Sequence, residues 1–167
     1  MNIRVLESHD AALYQSLRLH ALKTSPEAFG STYEREVSFS LETVAERIKP
    51  TNGKVTLGAF LAERQLIAIV TFVRETNVKT AHKGHIYGMY VSPDHRGLGI
   101  GRTLISELMK QASNQPGLEQ INLTVVSDNV SAKKLYASLG FQVFGIERRA
   151  LKSDGKYFDE EFMTYRI

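Results

Sequence analysis

The 167-residue chain contains no cysteine, which excludes a disulfide framework, a thiolate metal cluster and a cysteine nucleophile. That absence agrees with a cytoplasmic location. No apolar run approaches the length needed to cross a bilayer, so no membrane partner is expected. The first residues, Met1 to Glu7, carry charge almost at once and read as a first strand, not as a signal peptide. No basic run with interleaved aromatics suggests a nucleic-acid track, and no nucleic-acid partner is expected. No repeat, linker or low-complexity segment divides the chain, so residues 1–167 read as one domain. What is present suits that reading: at this length, 43% hydrophobic residues are enough for a sizeable core. The net charge of +3 is scattered along the chain and tilts the balance mildly toward an anionic ligand.

Residues 2–7 predict a strand. Ser8 or Asp10 can then cap a helix with Leu13, Tyr14, Leu17 and Ala21 at helical spacing, stopping before Pro26. Thr24 to Ser40 mixes small, aromatic and acidic residues and reads as a loop with some helical turn, its content suiting a mouth more than a core. A second helix begins at Ser40 and ends at Pro50. The period then changes. Val55–Leu61 and Leu66–Val73 read as strands joined by a turn at Glu63-Arg64, and His85–Val91 as a third. A helix at about Gly101–Ala112, a strand at Ile121–Val126 and a short helix closed by Gly140 follow. Two final strands surround Asp154-Gly155. The expected architecture is α/β: one mixed, mostly antiparallel sheet of about seven strands with four helices over both faces.

The densest chemical signal is Val91-Ser92-Pro93-Asp94-His95-Arg96-Gly97-Leu98-Gly99-Ile100-Gly101-Arg102. A strand ends, three alternate glycines follow, and an amphipathic helix begins. Glycines there let backbone amides approach a ligand without β-carbons in the way. The free amides of a helix N-terminus, with its dipole and the flanking Arg96 and Arg102, make an anion site. A phosphate or pyrophosphate is the implied guest. The spacing is neither Gly-x-x-x-x-Gly-Lys-Ser/Thr nor Gly-x-Gly-x-x-Gly, which argues against a P-loop nucleotidase and a dinucleotide fold. Read by itself, the segment could also be a plain turn that redirects the chain.

Arg96-x-x-Gly99-x-Gly101 resembles the Arg/Gln-x-x-Gly-x-Gly/Ala signature of the GNAT superfamily of N-acetyltransferases. Tyr87-Gly88-Met89-Tyr90-Val91-Ser92-Pro93 is similar to its fourth strand. Asn129-Val130-Ser131-Ala132-Lys133-Lys134-Leu135-Tyr136-Ala137-Ser138-Leu139-Gly140-Phe141 resembles its Asn-x-x-Ala-x-x-Leu-Tyr-x-x-x-Gly-Phe segment. The resemblance implies a sheet splayed between strands four and five, with acetyl-CoA in the notch as acyl donor. It places Met89, Tyr90 and Val91 along the pantetheine, the Met89 amide on the thioester carbonyl, and the amides of Gly97, Leu98, Gly99, Ile100, Gly101 and Arg102 on the pyrophosphate. Asn129 reads both as a helix cap and as a coenzyme A ligand.

Seven residues after Asn129, Tyr136 lies near the same helix face. It either fills the apolar stripe or, as the resemblance implies, is the general acid that protonates the departing thiolate. The base is less defined. A glutamate that some members carry on strand five is Thr124 here, and the glutamate that others carry on strand four is His85, a residue type that can serve as a general base. Glu34, Glu36 and Glu75 are further candidates from flanking loops. The resemblance also puts the acceptor between the first two helices, with Phe29, Glu34 and Glu36 lining it to suit a cationic amine.

His82-x-x-His85 lacks a third ligand, so no metal is expected, and no Gly-x-Ser-x-Gly elbow suggests a hydrolase. The expected activity is acetyl transfer from acetyl-CoA to a primary amine in a ternary complex. The acceptor is a polyamine, aminoglycoside, amino acid, or protein N-terminus or lysine. The alternatives are a non-catalytic acyl-CoA sensor of the same fold and a nucleotide-binding regulator. Homodimers are common in the superfamily, though no heptad or exposed apolar helix marks one here.

Overall fold

Near-continuous apolar runs within 54–60 and 66–74, buried on both faces, form two strands that pair antiparallel and anchor a seven-stranded sheet. The computed structural model describes residues 1–62 and 64–167. Glu63, expected in a turn with Arg64, lies outside the described residues. The elements are β1 (Asn2–Val5), α1 (Ala11–Thr24), α2 (Tyr33–Glu36), α3 (Leu41–Ile48), β2 (Lys54–Phe60), β3 (Leu66–Arg74), β4 (Lys83–Val91), α4 (Ile100–Ser113), β5 (Gln120–Val126), α5 (Val130–Ser138), β6 (Gln142–Ser153) and β7 (Lys156–Arg166). The sheet order is β1-β2-β3-β4-β5-β7-β6. Its pairs are antiparallel except β4 with β5.

The helices form where local chemistry closes their ends. Ser40 Oγ accepts from the Thr43 amide (3.1 Å) at the head of α3. Asn129 Oδ1 accepts from the Ala132 amide (3.1 Å) at the head of α5. Asp10 takes the Glu7 amide (2.9 Å) and a bidentate pair from Arg4, fixing the entry to α1. Four helices were expected from periodicity. The fifth, α2, is a single turn inside the segment read as a loop with some helical turn, and Thr32 is its cap. At the other end of the chain, Asp154 (φ 48°) and Gly155 (φ 76°) form the two-residue turn of the β6–β7 hairpin.

Both faces of the sheet are covered. Leu104, Ile105, Leu108 and Ala112 of α4 are buried against Leu57, Val70 and Phe72. Tyr14 and Ala21 of α1, with Val44 and Ile48 of α3, pack against Phe60, Ile69 and Tyr90 on the opposite face. The buried side of α1 is not wholly apolar. Gln15 and Arg18 are buried with Tyr14, whereas Leu13 and Leu17 are only partly covered. Among the described residues no helix is long and apolar enough to cross a membrane.

Candidate active site

Two irregularities open the sheet at its centre. The β4–β5 ladder runs from Lys83↔Gln120 to Ile86↔Leu123 and stops, although β4 continues to Val91 and β5 to Val126. On its other side β5 keeps pairing with β7 as far as Val126↔Glu160. The separation therefore belongs to β4. The register with β3 shows how it arises: Ile69 faces Tyr90 and Thr71 faces Tyr87, so β4 holds one residue more than β3 over the same stretch. The bulge includes Gly88, whose φ of 61° suits a residue without a β-carbon. The strands part from here, leaving backbone edges of β4 and β5 free.

The opening is a continuous cleft of about 1330 Å³, larger than the usual site for one small ligand and roomy enough for two. One end is the glycine turn. Gly97 (φ 76°) and Gly99 (φ 78°) are both left-handed, and a β-carbon at either would meet nothing within 4 Å, so both face open space. The helical ladder of α4 begins with the Thr103 amide on Gly99 O (3.0 Å), leaving the preceding amides available to an anion. Arg96 donates from Nε to Val91 O (2.9 Å) and Arg102 from Nη1 to Ser138 Oγ (2.7 Å). Both guanidinium groups are thus held beside the turn. Gly101 serves differently, since a β-carbon there would crowd Met89 Cε (3.1 Å) and Leu135 Cδ2 (3.3 Å). Its smallness lets α4 approach β4 and α5.

The residues expected to hold the donor line this cleft: Met89, Tyr90, Val91, Arg96, Gly97, Gly99, Ile100, Gly101, Arg102, Asn129 and Tyr136. Leu98 is the exception, with an exposed side chain outside the lining. Tyr90 reaches toward α1, where its hydroxyl bonds Thr24 Oγ1 (2.8 Å) and its ring meets Phe29. Tyr136 is buried, with its ring edge-on to Phe141. Burial pushes its phenol up to about 12, so it remains a neutral donor throughout the physiological range.

His85 lines the cleft on β4, before the split. Its Nε2 lies 2.8 Å from Glu75 Oε1 and its ring stacks on Tyr87. Hydrogen bonds from Thr80 and His85 hold the Glu75 carboxyl below its ordinary value. A carboxylate against one ring nitrogen orients the imidazole. Thr124 also lines the cleft. No group of three or more His, Cys, Asp or Glu side chains is gathered for a metal among the described residues.

The acidic residues expected around the acceptor are placed differently. Phe29 lines the cleft, but Glu34 is exposed and outside it. Glu36 is 1% exposed, and its carboxylate is committed to two arginines. Arg18 donates from Nε to Oε2 (3.0 Å) and from Nη2 to Oε1 (2.9 Å), and Arg47 from Nη1 to Oε2 (3.0 Å). Burial alone would push this carboxyl up, but the Arg18 hydrogen bonds and the charges of both arginines outweigh it and hold the group at about 2. It is the arginines that reach the cleft, together with Tyr14, Lys54 and, from β7, Glu160. Periodicity marks Tyr14 only as an apolar position of α1 and singles out none of the charged groups. The available signal was Arg18 itself, a cation four residues after Tyr14 on the face of α1 that enters the core.

Glu36→Gln is expected to destabilise the protein by about 3–5 kcal/mol, because it strands a buried guanidinium. The sign of the pH dependence follows from a folded value near 2 against 4.5 unperturbed. The stabilisation is complete above about pH 5 and disappears as pH falls from there toward 2. Melting temperatures of the two proteins from pH 7 to 3 should converge on acidification; curves that stay parallel would refute this account.

The sequence matches the family described as Acetyltransferase (GNAT) family over residues 17–141. It is 29% identical over 78 residues to an L-amino acid N-acetyltransferase of Escherichia coli, covering 47% of this chain and 48% of the relative. It is 28% identical over 102 residues to a spermidine N(1)-acetyltransferase of Vibrio cholerae, covering 61% and 57%. The chain thus spans about half the length of these curated relatives. The fold superposes with a TM-score of 0.83, at 21% identity, on a GNAT superfamily phosphinothricin acetyltransferase from Sinorhizobium meliloti in complex with AcCoA, covering 99% of this chain and 88% of that one. The matched segment includes the bulged strand, the glycine turn and the helix carrying Tyr136, and the protein belongs to the acetyltransferase (GNAT) family.

Proposed function

We propose that this protein transfers the acetyl group of acetyl-CoA to a primary amine by direct attack within a ternary complex. The observation that carries the reading is the parting of β4 from β5 beside an open glycine turn, with Tyr136 lining the same cleft. The fit to the donor rests on this geometry. Amides before Thr103 suit a pyrophosphate, and the free edge of β4 around Met89 and Val91 suits the amide-bearing pantetheine as an added strand. A backbone donor at Met89 would polarise the thioester carbonyl as negative charge develops there.

The amine nitrogen attacks the thioester carbon, the carbon–sulfur bond breaks, and the acetyl group leaves on nitrogen. His85, oriented by Glu75, takes a proton from the ammonium or the addition product, directly or through water. Tyr136 gives its proton to the departing sulfur and regains one from solvent. The chain has no cysteine, in keeping with transfer that forms no thioester on the enzyme.

Release of coenzyme A thiol from acetyl-CoA, measured across a panel of amines with mass-spectrometric identification of the products, tests this function. Amine-dependent release is expected, and His85→Gln should lower its rate. Tight acetyl-CoA binding without release for any amine would instead indicate a sensor of the same fold.

A further inference from the structure

The cleft extends from the β4–β5 split across the sheet face covered by α1 and α3. Here β2, β3 and β4 stand in register as Lys54↔Val73↔His85 and Thr56↔Thr71↔Tyr87, and Tyr14, Arg18 and Arg47 complete the wall. This lobe lies beside the bulge at Gly88, where the proposed acyl donor would end. A β-carbon at Gly88 would stand 3.9 Å from Arg18 Nη1.

Its cations are Arg18, Arg47 and Lys54; Glu36 is bonded to the two arginines, and Glu27 and Glu160 line the same cleft. Glu36 occupies Nε and Nη2 of Arg18 but leaves the buried Nη1 without a partner among the described residues. Leaving such a donor unpaired costs free energy. The Arg18 side chain is 6% exposed, with the Phe29 ring over its guanidinium at 4.7 Å. Arg47 is more accessible: its side chain is 39% exposed and it reaches Glu36 through Nη1. Its remaining donors are therefore the ones a ligand can engage directly, over the charge of Arg18 beneath.

The geometry points to an acceptor that carries a carboxylate next to its amine, an α-amino acid, with Arg47 as the carboxylate's direct ligand and Arg18 as the charge behind it. The assignment rests on the acetyl-transfer reading and narrows its substrate class. Two physical reasons favour it. A carboxylate gains a charge-assisted, directional contact from a guanidinium, whereas a polyamine brings only ammonium groups, which cannot accept from it. The same cations also disfavour the ammonium form of a nearby amine, raising the fraction able to attack.

The test uses the intact protein with saturating acetyl-CoA. L-α-amino acids, their amides, the corresponding decarboxylated amines and spermidine are compared by thiol release. Acids should exceed their amides by at least ~10-fold in kcat/KM, because an unmatched buried charge discriminates strongly. Arg47→Gln should raise KM for the acids ~10-fold or more and bring the acid-to-amide ratio toward one, with acetyl-CoA affinity retained; Arg47→Lys should restore part of the preference. Equal use of amides or spermidine, or an unaltered KM in Arg47→Gln, overturns the assignment. If no amine releases thiol, the transfer reading itself fails, and calorimetric titration of the same amino acids into the coenzyme A complex decides the remainder. Saturable binding weakened by Arg47→Gln supports the carboxylate site, and absence of binding refutes it.

Discussion

Gly99→Val should weaken acetyl-CoA binding by about 100-fold, equivalent to some ~2.7 kcal/mol, while leaving a folded protein. The left-handed φ of 78° at Gly99 disfavours any side chain, and a β-branched one most. That strain amounts to about 1–2 kcal/mol. The larger effect concerns the guest. A β-carbon at Gly99 meets no protein atom within 4 Å, so the valine would project into the space that the amides of the turn face, displacing the pyrophosphate they would hold. Gly101→Val provides the contrast. Its side chain would strike Met89 and Leu135, so its main effect should be on stability, through separation of α4 from β4 and α5. Calorimetric titration with acetyl-CoA and a thermal melt of both variants separate the two cases. Unchanged affinity in Gly99→Val would remove the turn from the donor site.

Tyr136→Phe should lower kcat by about 100-fold, the lower end of what a positioned general acid contributes, with little change in the KM for acetyl-CoA. The substitution preserves the ring, its edge-on contact with Phe141 and the packing of α5, removing one hydroxyl. With its phenol pushed up to about 12, Tyr136 stays protonated far above neutrality and should contribute no alkaline limb below about pH 11. A proton given to sulfur can thus be replaced from solvent without the tyrosinate accumulating. A single-turnover measurement of thiol release isolates the step from product dissociation. Equal rates in the two proteins would reduce Tyr136 to a packing residue, the alternative that its place in the apolar stripe of α5 always allowed.

The donor end of the cleft was more legible in the sequence than the acceptor end, for a reason visible in particular residues. Gly97 and Gly99 act through backbone conformation, Asn129 through a bond to an amide three residues away, and Asp154-Gly155 through a two-residue turn. Each is a relation between near neighbours along the chain, expressed in the choice of residue. The acceptor end depends on Arg18, Glu36, Arg47 and Lys54, drawn from α1, α2, α3 and β2. Glu36 carried no local mark to show that its charge would be consumed by Arg18, 18 positions earlier. Read alone, an acidic loop suggested an acidic mouth. Once folded, the same loop sends its carboxylate inward and leaves the cations at the cleft. His85 and Glu75 were likewise separate candidates until β3 and β4 paired and brought them within 2.8 Å.

By itself, then, the sequence determined the order and kind of the elements, the turn that suits a phosphate, the caps of α3 and α5, and the two motifs that resemble the family. Hydrophobic period, glycine conformation and capping act over a few residues and survive reading in one dimension. Only the tertiary structure decided how far β4 and β5 part, which groups share the cleft and what charge its acceptor lobe carries. Those properties arise from strand register and from ion pairs between elements distant in the chain. Their energies depend on burial and separation, which exist only once the sheet has closed around α1 and α3.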